Sequence, residues 1–301
     1  MTVHVIGNVT EDLVFRLPRL PREGETLLAD HRVADIGGKG LNQALLLTRA
    51  GWPARIVAPI GADDAGRRAE ALVAEELAGA QLIKVDAPTD QSILYVASTG
   101  ENTIVSSASA ARSLSPAQAE RALSGLEPGD TVLVQGNLSA QTTAAALQRA
   151  RDVGAFAAAN PSPIQWAWND LWALLDLVVV NRLELLELAG QPDLDRAAAT
   201  LREFGVGEVL VTLGAEGAQF LAEDGSLYTP ATPVDVVDTA GAGDTFCSVF
   251  LAARLKGCPI EVCMLAASQA AAHTIARAGT LSAFPDSQEI AAYLAAAEGR
   301  A

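Results

Sequence analysis

The sequence has few positive charges for its length. Its 301 residues include 21 lysines and arginines against 36 aspartates and glutamates, and the formal net charge is −15 at pH 7. Nucleic acids and anionic membranes attract broad basic surfaces. The composition therefore argues against either as the main partner. A phosphate ligand is still allowed, because backbone N–H groups at a helix N-terminus hold an anion without any net positive charge.

Cysteine, histidine and long apolar runs are also scarce. Cys247, Cys258 and Cys263 are odd in number and lack the paired spacing of a zinc site, so we expect buried thiols in a reducing compartment. The three histidines are scattered and form no metal or triad pattern. No segment reaches the roughly 18 consecutive apolar residues of a membrane span, and Met1 leads into a strand pattern rather than a signal peptide. We expect a cytoplasmic protein without a membrane partner.

Two common nucleotide-binding motifs are missing. Lys39 is followed by Gly40 without the upstream glycine of G-x-x-x-x-G-K-[ST], so the chain is not a P-loop NTPase. No G-x-G-x-x-G follows the apolar run Val3–Ile6, which removes the main argument for a dinucleotide-dependent dehydrogenase.

Short apolar runs alternate with segments of helical spacing along most of the chain. The runs are Val3–Ile6, Arg55–Ala58, Thr131–Val134, Ala155–Ala159, Leu177–Val180 and Val209–Thr212, and the main helical segments between them are Ala65–Ala78, Ala140–Val153 and Leu194–Phe204. Strands that are apolar throughout and alternate with helices predict a mostly parallel sheet with helices on both faces. We therefore expect one α/β domain spanning residues 1–301.

Two stretches depart from this alternation. Asp12–Ile36 holds strand-like pieces around a Pro/Gly turn, and Gln91–Ser107 has the pattern of a hairpin joined by TGEN. Since neither has a companion helix, both are expected to form a small β-sheet lid from about residues 12–36 and 91–107. Pairing the open edges of such a lid with a second copy predicts a homodimer.

The motif DTAGAGDTF, Asp238–Phe246, follows the strand-like PVDVV and precedes a helix predicted at Thr245–Lys256. Its small residues let the backbone approach a ligand, and the helix directs its first N–H groups to the same point, which predicts an anion hole at Gly241, Ala242 and Gly243. Asp244 would stand at its mouth, where a carboxylate accepts the proton of a hydroxyl that attacks a phosphoryl group. The alternative is an aspartate that only caps the helix. Further helices are predicted at Ile260–Arg277 and Asp286–Ala297.

A second motif, IGGKGLNQA, covers Ile36–Ala44. Its glycines free the backbone for close contact, Lys39 brings a positive charge, and Asn42 offers a donor and an acceptor to sugar hydroxyls. Alone it also suits an ordinary turn into the helix Leu41–Arg49.

Together, roughly 200 residues apart, these two motifs resemble the signatures of the PfkB, or ribokinase-like, carbohydrate kinases, and come closest to the ribokinase branch. The resemblance implies a ribokinase-like sandwich with a β-lid. It also implies ATP-dependent phosphorylation of a hydroxyl of a ribose-like sugar, with Asp244 as general base, Mg²⁺ as cofactor and K⁺ as an optional second cation.

The resemblance also assigns binding residues. Those implied to contact the sugar are Asp12, Gly38, Lys39, Asn42 and Asn137; those implied to contact ATP are Asn181, Thr212, Gly214 and Gly217; Glu184 would hold Mg²⁺ through water, and Asp238 and Gly279 a monovalent cation. Asn160 and Asn102 match positions near the substrate and the lid. In isolation, Asp12 suits a turn, NRLE at 181–184 a polar helix N-terminus and TLGAEG at 212–217 a hairpin.

The chain departs from the ribokinase pattern at two places. Asn137 stands near the position of a sugar-binding Glu, and Ala283 replaces a hydroxyl residue of the cation segment. We therefore expect ribose to be a poor substrate, unless Asn137 only caps the helix beginning near Ser139–Gln141. Because of Ala283, we also expect K⁺ to activate the enzyme only weakly. Two other functions stay open. One is a kinase for a nucleoside, another furanose or a sugar acid. The other is a non-catalytic regulator that binds a sugar or nucleotide, and the intact Asp244, Gly243 and Glu184 argue against this second function.

Overall fold

The computed structural model of the chain describes residues 1–98, 102–223 and 225–299. The turn predicted at TGEN, apart from the backbone of Asn102, lies outside these residues, as does the side chain of Asn102.

Nine strands form the main sheet and four form a smaller one, in the described part of the chain. The strands are β1 Val3–Ile6, β2 Thr10–Leu17, β3 His31–Gly37, β4 Ala54–Ile60, β5 Gln81–Lys84, β6 Asp90–Ala97, β7 Asn102–Ser106, β8 Thr131–Gln135, β9 Phe156–Asn160, β10 Leu177–Asn181, β11 Glu208–Thr212, β12 Ala218–Ala222 and β13 Gly225–Thr229. The helices are α1 Lys39–Arg49, α2 Asp64–Glu76, α3 Ser109–Ser113, α4 Pro116–Ala122, α5 Ala140–Val153, α6 Arg182–Ala189, α7 Leu194–Glu203, α8 Ala242–Leu255, α9 Ile260–Ile275 and α10 Ser287–Glu298.

The main sheet has the order β13-β12-β11-β10-β9-β8-β1-β4-β5. Its strands from β11 to β5 are parallel, and β12 and β13 extend it in antiparallel fashion. Because side chains alternate between the faces of a strand, each central strand feeds two cores. Leu177 and Val179 lie in the core beneath α1, α2, α8, α9 and α10, and Val178 and Val180 in the core beneath α3 to α7. The predicted α/β layering is confirmed.

The small sheet has the order β3-β2-β6-β7, with β2 parallel to β6 and the outer pairs antiparallel. Val14, Leu94 and Val96 form an apolar cluster on it that packs against Ala240, in the turn before α8. The small sheet therefore lies over the carboxyl ends of the main strands, beside the glycine-rich turn.

Several details differ from the sequence-based expectations. PVDVV is not a strand: it runs as an irregular segment with exposed valines, tied to the end of α9 by a hydrogen bond from Val237 N to Ile275 O of 2.8 Å. Helix α8 begins at Ala242 rather than Thr245. The N–H groups of the first helical turn have no acceptors inside the helix, and this turn tolerates Gly243. Cys247 and Cys263 are buried, but Cys258 is only partly so. Within the described residues, no helix is both long and apolar enough to cross a membrane.

Candidate active site

A cavity of about 870 Å³ lies between the small sheet and the carboxyl ends of the main strands. It is lined by all five residues assigned to the sugar, together with Gly241 and Asp244; the five are Asp12, Gly38, Lys39, Asn42 and Asn137. The two sequence motifs therefore meet at one site.

Asp244 is buried at the base of this cavity and does not cap its helix. Gly241 is the N-cap of α8, and Asp244 is the third helical residue. Its carboxylate accepts hydrogen bonds from Asn42 Nδ2 at 2.9 Å and from Gln43 Nε2 at 3.0 Å, and Lys39 Nζ lies 3.5 Å away. The capping alternative is therefore wrong, because this carboxylate is held by side chains of α1.

Helical geometry explains why these three side chains reach Asp244. Lys39, Asn42 and Gln43 stand at positions i, i+3 and i+4 of α1, which share one face of a helix. The N-cap residue Gly38 has φ 102°, a backbone conformation that side chains rarely adopt. The turn of IGGKGLNQA thereby directs three polar side chains at Asp244.

Lys39 also reaches the neighbouring strand. Its Nζ donates to Asn160 Oδ1 at 3.2 Å, and Asn160 Nδ2 donates to the carbonyl of Val179 at 2.8 Å. Burial alone lowers the pKa of Lys39, but the charges of Asp244 and Glu184 raise it above its ordinary value. Lys39 therefore stays charged beside the Asp244 carboxylate.

The turn before α8 has the geometry of an anion hole. Gly241 has φ 76°, and a Cβ there would lie 2.5 Å from the ring of Phe284, so a side chain is excluded. The first intrahelical bond runs from Thr245 N to Gly241 O, which leaves the N–H groups of Gly243 and Asp244 in the unbonded first turn. A Cβ on Gly243 would meet nothing within 4 Å. Two backbone donors at the start of α8 therefore have no backbone partner among the described residues, as an anion hole requires.

Asp12 projects from the small sheet into the same cavity and is 7% exposed. Thr10 Oγ1 donates to its Oδ1 at 2.6 Å. Burial raises the pKa of Asp12 to about 6, although hydrogen bonds from Thr10 and Ser92 lower it. A buried carboxylate of this kind is a strong acceptor for ligand hydroxyls once it is ionised.

Two asparagines with buried amide oxygens line the cavity. Asn42 and Asn137 are 4% and 7% exposed, both line the cavity, and among the described residues neither Oδ1 atom has a hydrogen-bond partner. Helix α5 is capped by Ser139, whose Oγ accepts from Thr142 N at 3.2 Å, so Asn137 is not its cap. Buried acceptors without partners are rare, so the protein alone leaves the polar groups of these two residues incompletely satisfied.

The residues assigned to ATP lie outside this cavity, at the ends of two neighbouring strands. Asn181 and Thr212 are paired in register on β10 and β11, and Gly214 and Gly217 flank a 3₁₀ turn just beyond. Asn181 and Glu184 form a reciprocal capping box at the start of α6, the polar helix N-terminus that NRLE suggested.

Asp238 and Gly279, assigned to a monovalent cation, are in contact. Gly279 N donates to Asp238 Oδ2 at 3.2 Å, Ala240 N donates to Oδ1 at 3.0 Å, and Arg16 Nη2 lies 3.6 Å from Oδ2. With Ala283 in place of a hydroxyl residue, the site fits a K⁺ ion poorly, because protein donors already surround the carboxylate that would ligate it.

Sequence reasoning missed several cavity and network residues. Gln43 holds Asp244, Gln135 Nε2 donates to Gln43 Oε1 at 2.7 Å, and Arg112 and Gln165 line the outer part of the cavity. The helical spacing from Lys39 was a signal for Gln43, because position i+4 lies on the same face. Gln135, Arg112 and Gln165 come from elements joined only by the fold and carry no local signal.

The chain is similar to known sugar kinases along its whole length. The model of the pfkB family of carbohydrate kinases matches residues 2–287. A ribokinase of Haemophilus influenzae is 28% identical over 300 residues, which cover 97% of this chain and 98% of that protein. A deoxyribokinase of Salmonella typhi is 29% identical over 302 residues, covering 98% and 99%. The solved structure of Arabidopsis thaliana ribokinase complexed with ribose and ATP has a TM-score of 0.83 at 26% identity, covering 97% of this chain and 98% of that one.

These likenesses agree with the fold and with the two motifs that meet at Asp244. The chain therefore belongs to the pfkB family of carbohydrate kinases, in its ribokinase-like branch, and is an ATP-dependent enzyme of that family.

Proposed function

We propose that the enzyme transfers the γ-phosphoryl group of ATP to a hydroxyl of a ribose-like sugar, with Asp244 as general base. The observation that carries the proposal is the position of the Asp244 carboxylate. It lies beside the N–H groups of Gly243 and Asp244 in the first turn of α8, which have no backbone partner among the described residues, in a cavity that Asn42 and Asn137 line. An acceptor for a proton, donors for an anion and acceptors for sugar hydroxyls thus converge on one point.

The chemistry follows from these positions. Asp12, Asn42 and Asn137 bind the sugar so that one hydroxyl faces Asp244. That hydroxyl oxygen forms a bond to the γ-phosphorus as the bond to the ADP oxygen breaks, and its proton passes to the Asp244 carboxylate. The N–H groups of Gly243 and Asp244, with Lys39, stabilise the charge on the transferring phosphoryl group. Most of the acceleration then comes from positioning and charge stabilisation.

Glu184 fits a role in holding Mg²⁺ through water. Its carboxylate is partly exposed, and one of its oxygens accepts a hydrogen bond from Asn181 N at 2.9 Å. Its negative charge helps to raise the pKa of Lys39. Mg²⁺ keeps several waters and is held by one or two carboxylates plus substrate phosphates. When bound it would neutralise phosphate charge on ATP, which Asn181, Thr212, Gly214 and Gly217 would position.

The acceptor is proposed to be a pentose or related furanose other than unsubstituted ribose. The relatives named ribokinase and deoxyribokinase support a five-carbon sugar. Asn137 both donates and accepts, whereas a carboxylate only accepts, so the set of hydroxyls that it satisfies differs. A nucleoside is less favoured, because the described residues that line the cavity include no aromatic ring for a base to stack on.

The test is a coupled ADP-release assay across ribose, deoxyribose, other furanoses, sugar acids and nucleosides. We expect turnover with at least one furanose and kcat/KM for ribose about tenfold or more below the best acceptor. Turnover only with nucleosides would replace the acceptor class. Binding without turnover, by calorimetry, would instead establish the non-catalytic regulator.

We further propose that the enzyme acts in the cytoplasm and forms a homodimer through the small sheet. Val33 on β3 and Ile104 and Val105 on β7 are exposed on its two outer strands, at 42%, 51% and 61%. Pairing these strands with a second copy would cover apolar surface and open edges. Light scattering after size exclusion measures the mass of the parent and of Val105→Lys. We expect a dimer for the parent and a monomer for the variant. A parent that already has the monomer mass would refute the proposal.

A further inference from the structure

The carboxylate of Asp238 is the least exposed acidic group of the glycine-rich turn, at 3%. Both of its oxygens accept backbone hydrogen bonds, one from Ala240 inside the turn and one from Gly279 in the segment after α9. It therefore ties together the two segments that support the anion hole. A buried carboxylate of this kind needs a compensating positive charge.

Arg16 supplies that charge from the small sheet. Its Nη2 lies 3.6 Å from Asp238 Oδ2, and it is the one basic side chain within 4 Å of this carboxylate in the described part of the chain. Arg16 is fixed on β2, where it pairs with His31 of β3 and Val96 of β6. The positive charge is thus built into the lid rather than taken from solution.

A bound K⁺ and this guanidinium would compete. Both would approach the same carboxylate, and like charges at such distances repel strongly in a partly buried site. Ala283, which is fully buried, adds no side-chain oxygen to the segment.

We propose that Arg16 is a positioning residue that acts as a tethered counter-cation for Asp238, in place of a monovalent cation. The guanidinium holds the anion-hole turn in its active shape and links that shape to the position of the small sheet. The parent enzyme then needs no K⁺, and removing the arginine charge creates a dependence on K⁺. The activity part of this inference rests on the proposed kinase function, but its stability part does not.

The experiment compares the parent, Arg16→Gln and Arg16→Lys in KCl and in N-methylglucamine chloride at equal ionic strength. With the best acceptor sugar, K⁺ changes kcat/KM for ATP by less than about twofold in the parent. In Arg16→Gln, kcat/KM falls about tenfold in N-methylglucamine and K⁺ restores most of it. Arg16→Lys keeps the charge and loses less. Arg32→Gln, on the adjacent strand β3, is the matched control and behaves as the parent.

A second readout needs no substrate. If K⁺ binds the vacated carboxylate, Tm of Arg16→Gln rises by a few degrees in KCl relative to N-methylglucamine, whereas Tm of the parent and of Arg32→Gln does not. Should Arg16→Gln fail to fold, the double variant Arg16→Gln/Asp238→Asn is expected to fold again without responding to K⁺, because no unpaired charge is left.

Three results would overturn the inference: strong K⁺ activation of the parent, a normal Arg16→Gln in N-methylglucamine, or a damaged Arg16→Gln that K⁺ restores in neither activity nor Tm. A double variant as unstable as the single one would also overturn it. If no sugar is turned over by the parent, the kinase proposal fails, and the Tm comparison still decides the role of Arg16.

Discussion

The two sides of the site are built in different ways. On the sugar side, Asp12, Asn42 and Asn137 are buried side chains, two of them with an oxygen that lacks a partner among the described residues. On the nucleotide side, the proposed contacts are strand ends, glycine turns and a helix cap, with Asn181 and Gly214 exposed.

This difference separates specificity from general phosphate chemistry. A buried side chain left unpaired costs about 1–3 kcal/mol, so the sugar side strongly rejects an acceptor with the wrong hydroxyl pattern. Backbone groups on an open surface contact features that ATP always presents, and they depend little on side-chain identity. Substitutions on the sugar side should therefore change the acceptor, and substitutions at the anion hole should change the rate with every acceptor.

The largest effect is expected at the junction of the two sides. Asp244→Asn removes the proton acceptor but leaves the backbone donors, so kcat should fall by about 10²–10⁴ while Kd for ATP stays within about threefold. Stopped-flow kinetics and calorimetry measure the two quantities. Asp64→Asn, in the exposed first turn of α2, is the control, and a near-normal kcat in Asp244→Asn would refute the assigned role.

The acceptor preference is the sharpest test of the sugar side. Asn137→Glu restores a carboxylate and should shift kcat/KM toward ribose by roughly tenfold to a hundredfold relative to the parent's best sugar. Asn137→Gln introduces a side chain as long as glutamate but without the charge, so it controls for size. If ribose already leads in the parent, or if the ranking is unchanged in Asn137→Glu, specificity does not depend on this residue.

Gly243→Ala tests the anion hole without disturbing its packing. The new Cβ meets no protein atom within 4 Å, and alanine favours helices, so the free energy of unfolding should rise by a few tenths to about 1 kcal/mol. If phosphate binds at the start of α8 as proposed, the methyl group crowds it, and kcat should fall about tenfold for every acceptor. Urea denaturation and kinetics check both, with Gly125→Ala as control. A stabilised variant of full activity would place the phosphate elsewhere.

The smallest effect concerns pH. Burial raises the pKa of Asp12 to about 6 in the folded chain, against an ordinary value of 3.8. Its stabilising contribution is therefore complete below about pH 4 and is lost as pH rises through 6, by about 3 kcal/mol in total. If ionised Asp12 binds sugar hydroxyls as proposed, kcat/KM for the sugar should fall several-fold between pH 7 and 5.5.

Asp12→Asn separates these two consequences of burial. It should be more stable than the parent at pH 8, bind sugar more weakly, and lose the step near pH 6. Thermal melts and pH–rate profiles provide the data. A parent whose sugar kcat/KM stays flat across pH 6 would show that Asp12 is ionised throughout.

Local patterns singled out the two motifs that the fold brings together at Asp244. The small residues of DTAGAGDTF indicated a tight turn before the helix, and the glycines, Lys39 and Asn42 of IGGKGLNQA indicated a polar contact region. The same patterns suggested an α/β layering, because uniformly apolar strands alternated with helices. These features are encoded by neighbours in sequence, which is why sequence alone reveals them.

Features that depend on distant parts of the chain were not predictable. No local pattern links Arg16 to Asp238, and the short, partly exposed β5 lacks the apolar run of a buried strand. PVDVV has the composition of a strand but finds no partner strand in the described fold, so composition alone was misleading. That Asn137 faces a cavity rather than capping α5 also required the three-dimensional arrangement.

The most direct test of the central claim is ³¹P NMR of the parent enzyme with MgATP and its best acceptor sugar. The account predicts a sugar phosphomonoester and ADP appearing one to one, and both forming about 10²–10⁴ times more slowly with Asp244→Asn. ADP accompanied by inorganic phosphate, with no phosphomonoester, would contradict it, because Asp244 would then be activating water rather than a sugar hydroxyl.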